Sequence, residues 1–402
     1  MPRFVSYLAA VATVATLAGT AQAQLTPNQL GVANAIAVPA SGAPTAANIA
    51  VQASLGGLPA GTLGTTYSQF TPAGYSLLPD LTFRTVEFEE GTIRQYLRDF
   101  RAGGTGVSGI AGQANPGDRK FGSFALAGGQ VGSYNATADR MRTETSAESG
   151  ILGLDYRLGA KTLVGVTGGY DRVEARLDQF STRSRIGSWF AGGYGTFGVG
   201  PLYLDLYGSY GETKYDLHRA IEFGGLTAAP TALQFGAGAG GRTYMGGGTT
   251  GLSFNRFGFE FEPFVGARYA NLRIGGFSDG TDVGAITLGR RTFKSILGTA
   301  GLRVGQTIAL PGGVSLRPQL SGAYKHEFDR YDFNNFTFGT GAVPLTPVNF
   351  TPTGLARDYA IAGAGITVSG ANSPFSFVVN YEGEFARDRR INGLTGGFRL
   401  TF

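Results

Sequence analysis

The 402-residue sequence has no cysteine and only two histidines, His218 and His326. The lack of cysteine excludes disulfide bonds and thiolate ligands for zinc. Two histidines cannot supply a histidine-rich metal site, and no carboxylate cluster has the spacing of a calcium-binding loop. We therefore expect no metal site and no other cofactor.

Long apolar runs and one-sided charge are also missing. Beyond the N-terminal region, no segment approaches the roughly 20 consecutive apolar residues of a membrane-spanning helix. The net charge of +5 comes from 33 basic and 28 acidic residues that are interspersed along the chain. A nucleic-acid-binding protein concentrates its basic residues on a face or stripe, so no nucleic-acid partner is expected. If the chain crosses a membrane, it must do so with β-strands.

The N-terminus has the features of a secretory signal peptide. Arg3 supplies a positive start, an apolar stretch runs from Val5 to Ala18, and Ala21 and Ala23 put small residues at a cleavage position. A membrane anchor is the alternative, but the apolar stretch is short and is interrupted at Thr13, Thr16 and Gly19. We expect residues 1–23 to be removed after export.

Glycine and aromatic residues are abundant, with 66 Gly, 29 Phe and 18 Tyr. Apolar and polar residues alternate in several long segments, as in β-strands that have one apolar and one polar face. Strands of a soluble sandwich also alternate, but they average about five or six residues. A tilted transmembrane strand needs roughly 9–11. The clearest alternating segments have this greater length: Leu202–Tyr210, Phe257–Tyr269, Ile296–Val304, Val314–Phe328 and Phe375–Phe385.

The segment Ile391–Phe402 alternates in the same way. Polar side chains fall on one parity, and apolar ones fall on the other: Leu394, Phe398, Leu400 and Phe402. A final strand with one apolar face and a terminal aromatic residue is typical of an outer-membrane β-barrel, whose outer face meets lipid and whose inner face meets a polar lumen.

Connection lengths support a barrel, because short and long links alternate along the chain. Bacterial barrels have short periplasmic turns and longer outer loops. The short links are Leu158–Lys161, Gly198–Pro201, Asn255–Gly258, Thr307–Gly313 and Gly370–Pro374. The long ones are Tyr134–Ser146, Arg176–Arg183, Ile221–Gly241, Gly275–Arg291 and Asp329–Leu355, and a brief hairpin at Ala386–Arg390 follows. We count about twelve strands; only Ile186–Phe197 has an ambiguous parity, because its aromatic residues do not share one face.

The region before the first strand has a different pattern. Gln24–Pro79 is rich in Ala, Gly, Thr and Pro, with a possible helix that begins at Thr26-Pro27. From Phe83 to Arg101 the period becomes helical, because Ile93, Tyr96, Leu97 and Phe100 form one apolar stripe. Such a helix plugs the lumen or packs at the periplasmic rim, and the lumen is favoured because it accommodates the charged face. Gly103–Gly117 has the composition of a flexible linker.

The barrel region, roughly Phe121–Phe402, resembles the autotransporter β-domain of type V secretion. The resemblance depends on several short motifs that occur in order: Pro263–Tyr269, Gly276–Gly280, Ala323–Phe328, Tyr381–Phe385 and the terminal Leu394–Phe402. It implies a barrel that the β-barrel assembly machinery inserts after reading the final strand, a helical linker in the pore, and an N-terminal passenger carried to the cell surface. Phe83–Arg101 is similar to that linker.

The chain also differs from the family's usual pattern, in which passengers are long β-helical repeats. About sixty residues separate Gln24 from the linker helix, too few for a repeat solenoid with caps. The linker has no convincing Asn-Asn junction for self-cleavage. We therefore divide the chain into a signal peptide (1–23), a short passenger-like or vestigial region (24–79), a helical linker (80–119) and the barrel (120–402).

Motifs that resemble catalytic sites are interpreted as structural. Gly276–Gly280 matches G-x-S-x-G around Ser278, but a nucleophile elbow needs a strand, a sharp turn and a helix. Gly236–Gly241 imitates a phosphate-binding turn without a following helix and is interpreted as a flexible loop. Asp216 and His218 share a strand face without a predicted nucleophile, and His326 is expected in the interfacial girdle. No catalytic, cofactor-binding or metal-binding residue is predicted.

By parity, a set of charged side chains points into the lumen: Glu260, Glu262, Arg268, Arg303, Arg317, Glu382, Glu384 and Arg399. We interpret them as structural groups that hold the linker helix. The sequence thus predicts a monomeric, non-enzymatic outer-membrane translocator that displays or exports its own N-terminal region. An outer-membrane pore, or a surface adhesin or receptor that uses its extracellular loops, remains the alternative.

Overall fold

A computed structural model describes residues 25–37, 46–104, 120–137, 139–177, 182–223, 232–329, 336–339, 346–352, 354–370 and 373–401. The predicted signal peptide (1–23), most of the predicted flexible linker and Phe402 lie outside these residues. Within them, no helix combines the length and the apolar character that are needed to cross a membrane.

Twelve long antiparallel strands form a closed barrel, because the last strand pairs with the first along the whole of its length. The predicted strand number is therefore confirmed. The strands are β1 (Phe121–Tyr134), β2 (Thr143–Gly159), β3 (Thr162–Leu177), β4 (Arg183–Val199), β5 (Leu202–Glu222), β6 (Ala232–Leu252), β7 (Phe259–Ile274), β8 (Arg291–Gly305), β9 (Val314–Glu327), β10 (Asp358–Gly370), β11 (Phe375–Ala386) and β12 (Arg389–Thr401).

The outer face of the barrel is apolar and the inner face is mixed, as the alternation predicts. On β9, Leu320 is 66% exposed, whereas Gln319 beside it is 7% exposed and faces the lumen. The ambiguity of β4 also has an explanation. Trp189 and Phe197 face outward, while Phe190 and Tyr194 are buried inside the barrel, so aromatic rings occupy both faces of this strand.

The connections separate the barrel into two ends. We call the end with the tight turns, where β1 begins and β12 ends, the turn end, and the opposite one the loop end. Four short strands in the long connections form a separate small sheet at the loop end: Phe277–Ser278, Ile286–Leu288, Phe336–Phe338 and Thr346–Val348. Two more, Phe254–Arg256 and Ile308–Leu310, extend turns at the other end.

Two predictions about the β5–β6 connection are wrong. The loop predicted from Ile221 to Gly241 is much shorter, since β5 continues to Glu222 and β6 begins at Ala232. Gly236–Gly241, predicted as a flexible loop, lies within β6 and pairs residue by residue with β5. A Cβ atom on Gly241 would lie 2.9 Å from the Tyr215 ring, so glycine here leaves room for the ring of the neighbouring strand. Cross-strand hydrogen bonds thus override the low strand propensity of glycine.

The N-terminal region is helical: α1 (Pro27–Ala37), α2 (Ala46–Gly56), α3 (Ala60–Phe70), a 3₁₀ turn (Pro72–Tyr75) and α4 (Leu78–Gly104). The predicted helix start at Thr26-Pro27 is confirmed by α1. The helices α1–α3 cover the loop end and share one hydrophobic core with the small sheet. This core includes Val32 and Phe70 from the helices together with Ile286, Phe338 and Phe350 from the long connections.

Candidate functional site: the helix in the barrel lumen

The helix α4 runs through the barrel lumen, as predicted, and is longer than the predicted Phe83–Arg101. Its apolar stripe, Ile93, Tyr96, Leu97 and Phe100, is at most 4% exposed. Asp80 in the first turn and Arg101 in the last turn match the direction of the helix dipole. The helix therefore buries its apolar face against the barrel wall, and its charged side chains need partners on the same wall.

At the loop end, Arg84 is the centre of the first group of contacts. Its guanidinium lies 2.8 Å from Glu384 of β11 and 3.1 Å from Asp80 on its own helix, and it donates a 2.6 Å hydrogen bond to the Tyr134 hydroxyl of β1. Arg389 of β12 lies 2.7 Å from the same Glu384 carboxylate. These contacts connect α4 to the seam at which the barrel closes.

In the middle of the lumen, Arg268 of β7 reaches two carboxylates of α4. Its two terminal nitrogens lie 3.5 Å from Glu87 and 3.4 Å from Glu90. Glu87 also accepts a 2.7 Å hydrogen bond from the Tyr359 hydroxyl of β10. All these groups are nearly buried, so each charge depends on its partner for stabilisation.

Near the turn end, Arg101 pairs with Asp205 of β5 and lies 3.6 Å from Glu262 of β7. Its guanidinium is stacked 3.7 Å from the centre of the Tyr203 ring. Tyr96 donates a hydrogen bond to Asp155 of β2. Opposite walls of the barrel thus hold the two ends of the helix, which fixes both its depth and its rotation.

The structure places the eight predicted lumen charges inside the barrel, around α4. Arg317 lies 3.5 Å from Asp99 of the helix and pairs with Glu260. Arg303 pairs with Glu262, and Arg399 covers the rings of Tyr96 and Phe100 at about 5 Å. Glu382 lines a polar cavity beside the helix, and the other members, Arg268, Glu262 and Glu384, have the contacts given above.

Two polar cavities remain beside α4. One, of about 50 Å³, lies toward the loop end and includes Ser76 and Arg357 in its lining. The other, of about 80 Å³, is lined in part by Gln95, Gln130 and Asn380. Spaces of this size accommodate water molecules and small ions. They are too small for a second polypeptide, so among the described residues α4 is the main occupant of the lumen.

The loop end is held closed by a second buried cluster, which the sequence did not reveal. Arg219 of β5 donates a 2.9 Å hydrogen bond to Asp279 and a 3.0 Å hydrogen bond to the Gln69 carbonyl of α3. Tyr75 donates a 2.8 Å hydrogen bond to the same Asp279 carboxylate. Burial raises the pKa of the Tyr75 phenol well above its usual value, so the hydroxyl remains a donor. Parity puts Arg219 inside, but no local pattern connects it with Asp279, sixty residues later.

The residues that resemble catalytic groups are not brought together. Asp216 and His218 lie 3.2 Å apart on the outward face of β5, and both are more than half exposed. His326 pairs with Asp358 at 2.6 Å on the outward face of β9. Ser278 ends the short strand Phe277–Ser278 of the small sheet and donates a 2.8 Å hydrogen bond to the Gly280 carbonyl. Within the described part of the chain, no three carboxylate or imidazole groups cluster in a way that could hold a metal ion.

A family model, the autotransporter β-domain, matches residues 123–382 of the chain. The chain belongs to the autotransporter β-domain family. Its barrel is therefore an autotransporter translocator domain, a fold that implies the outer membrane, and the alternative functions are not favoured. Family barrels have their longer loops outside the cell, so the loop end corresponds to the extracellular side.

Solved autotransporter structures have the same fold. The translocator domain of the autotransporter NalP from Neisseria meningitidis is 16% identical, with a TM-score of 0.58 over 81% of this chain and 99% of that one. The β-domain of the Bordetella autotransporter BrkA is 18% identical, with a TM-score of 0.50 over 70% of this chain and 100% of that one. No curated protein matches the chain significantly. Because both sequences are less than 25% identical to this autotransporter, the two similarities show its fold and nothing further about its function.

Proposed function

We propose that this autotransporter exports its own N-terminal region, residues 24–79, and retains it as a cap on the extracellular end of the barrel. The observation that carries this proposal is the direction of α4. Leu78, where the helix begins, lies at the loop end beside Tyr75 and its partner Asp279, whereas Arg101 lies toward the turn end. A chain that passes through the lumen in this direction has its N-terminal side outside the cell.

The cap is held by specific contacts with the barrel's own loops, which supports its retention after export. The Gln69 side chain makes two hydrogen bonds with the backbone of Glu222, at 2.7 and 3.2 Å. The Asn28 side chain makes a second pair of hydrogen bonds with Thr351, at 2.7 and 2.9 Å. The exported region in this proposal is therefore a stopper and a surface cap. The helical part of the linker, in α4, remains in the pore.

We also propose how the chain is targeted and assembled. Residues 1–23 act as a signal peptide that is removed in the periplasm, and the β-barrel assembly machinery recognises the final strand through Leu394, Phe398, Leu400 and Phe402. One chain closes the whole barrel through the β1–β12 pairing, which supports a monomer. The outward, separated positions of His218 and Ser278 support a protein without catalytic activity.

Epitope tags in intact cells test the export of the N-terminal region. A tag inserted between α1 and α2, in residues 38–45, is expected to bind antibody without permeabilisation. A matched tag in the turn between β10 and β11, at residues 371–372, is expected to bind only after permeabilisation. If the first tag also required permeabilisation in cells where the barrel is folded, the proposed export would be wrong.

A further inference from the structure

The outward face of the barrel has a polar groove near the loop end, separate from the lumen. It has a volume of about 540 Å³ and lies across β12, β1, β2 and β3. Its floor contains Val131, Ser133 and Ser146, and its walls include the side chains of Arg176 and Arg390. The groove forms where Val131, Ser133 and Ser146 present shorter side chains outward between the long side chains of Arg390 and Arg176.

Strand register aligns the groove residues in two rows across the barrel surface. The row nearer the loop end contains, in strand order from β12 to β4, Arg390, Ser133, Glu144, Arg176 and Arg183. The next row contains Asn392, Val131, Ser146, Glu174 and Arg185. Both rows face away from α4, so none of these side chains is needed to hold the helix.

The charge at the groove is organised around a single carboxylate. Glu174 is only 14% exposed and contacts Arg176 at 2.5 Å, Arg185 at 3.9 Å and Arg183. Arg142 contacts Glu144, and Asp216 contacts Arg185, so both are counted with the two rows. The whole group has five arginines, Arg142, Arg176, Arg183, Arg185 and Arg390, and three carboxylates, Glu144, Glu174 and Asp216. The excess is two positive charges. The Arg176 side chain is 67% exposed, so its guanidinium remains accessible to a further anion.

Two other charged pairs lie on the outward face of the loop end. Arg242 lies 3.6 Å from Glu212, and His326 pairs with Asp358. Arg273 and Lys294 are exposed positive charges on β7 and β8, whereas the arginines of the groove surround a cavity of about 540 Å³. The groove is therefore suited to an anionic partner that reaches the side of the barrel.

The position of the groove relative to the membrane identifies that partner. Tyr170 and Trp189 pair directly on β3 and β4 and are 56% and 46% exposed, as expected for rings of an interfacial girdle. Glu174 lies four residues further along β3, which corresponds to about 10 Å along the membrane normal for a tilted strand. Headgroups of the outer leaflet occupy this level, and arginine matches the geometry of phosphate oxygens.

We propose that this groove binds the phosphorylated headgroup of an outer-leaflet lipid. Arg176 and Arg390 contact the phosphate from the two sides of the groove, and Glu174 positions the guanidinium of Arg176. The small floor residues accept the body of the headgroup. Val131, which is 61% exposed, meets the upper part of an acyl chain. Such binding would fix the barrel's depth and orientation in the membrane.

Lipid retention by the purified full-length protein tests this proposal. Detergent-solubilised protein is mixed with lipid A, a diphosphorylated glycolipid, or with zwitterionic phosphatidylcholine, and the bound lipid is counted by native mass spectrometry. The wild type should retain lipid A in preference to phosphatidylcholine. The double variant R176Q/R390Q should bind lipid A about 20-fold more weakly, because two arginine–anion contacts are lost.

Two further variants distinguish binding in the groove from general attraction to positive surface charge. R273Q/K294Q removes two exposed positive charges from the outward face of β7 and β8 and should bind lipid A like the wild type. S146W fills the groove floor without a change of charge and should weaken binding as R176Q/R390Q does. Heat-dependent migration in gel electrophoresis confirms that each variant is folded.

The opposite results would overturn the proposal. If the wild type and folded R176Q/R390Q bound lipid A equally, the two arginines would not be its ligands. If S146W bound lipid A like the wild type, the groove would not be the binding site. Inorganic phosphate is the remaining comparison. If it displaced lipid A and bound with similar affinity, the groove would be a simple anion site and the assignment to a lipid would be wrong.

Discussion

Arg101 of the lumen helix and Asp205 of β5 form an ion pair in which the side chains are only 4% and 2% exposed. A buried charge without its partner is strongly unfavourable. We therefore expect Arg101→Met to lower the free energy of unfolding by about 3–5 kcal/mol, measured by urea titration of the protein folded in lipid vesicles.

The double variant R101M/D205L provides the control for this ion pair. Replacement of both charges by apolar side chains removes the unpaired carboxylate, so most of the lost stability should return. Arg273→Met, on the outward face, should change stability by less than about 0.5 kcal/mol. Wild-type stability in R101M alone would contradict the assigned role of the pair.

The cap at the extracellular end should depend on Asp279. Its carboxylate is fully buried and is the anion for Arg219, at 2.8 Å. In Asp279→Ala, Arg219 loses that anion, so α1–α3 should detach and become sensitive to added protease while the barrel stays folded. Tyr75→Phe removes one hydrogen bond to the same carboxylate and should weaken the attachment of the cap less than Asp279→Ala does, by about 1.5–3 kcal/mol. Equal protease protection of the D279A cap and the wild-type cap would contradict this prediction.

The closing seam of the barrel should tolerate no side chain at Gly397. A Cβ atom there would overlap the Ala125 carbonyl oxygen and approach the Cα of Leu126 to 2.8 Å, and both atoms belong to the backbone of β1. Gly397→Ala should therefore reduce the fraction of folded, heat-modifiable barrel. Gly150→Ala is the matched control, because a Cβ atom on Gly150 has nothing within 4 Å. Similar folding of both variants would show that the seam adapts easily.

The proposed recognition of the final strand predicts a difference between cells and purified lipid. Phe402→Ala should decrease assembly into the outer membrane, whereas refolding of the same purified variant into lipid vesicles should proceed as for the wild type. Phe385→Ala removes an outward-facing aromatic residue of β11 and should assemble normally. If F402A were equally defective in both settings, its effect would be on barrel stability and not on recognition.

The strand faces and α4 were predictable because their side chains repeat with the periods of a strand and a helix. Ile93, Tyr96, Leu97 and Phe100 mark the helix, and charges such as Arg268 and Glu384 mark the lumen by parity alone. The partner of each charge was not predictable, because pairs such as Arg84 and Glu384 are 300 residues apart and depend on barrel closure.

Two features lacked a usable sequence signal. Gly236–Gly241 contains only glycine and alanine, so it has no apolar period, and its strand structure comes from pairing with β5. The cap has weakly amphipathic helices whose buried face forms only against the loops. Asp279, expected in an exposed polar loop, is 4% exposed because Arg219, Tyr75 and the small sheet enclose it.

The passage of α4 through the lumen can be measured directly by cross-linking, and the natural absence of cysteine makes introduced thiols unique. The Phe88 ring of α4 lies against Gly128 of β1, 2.6 Å from the position of a Cβ atom there. A short bifunctional thiol reagent should therefore join the two sites in F88C/G128C, in membranes from intact cells. It should not join F88C/G150C, because Gly150 is on the outward face. Cross-linking of the second pair, or free thiols in the first pair of a folded barrel, would contradict a helix inside the lumen.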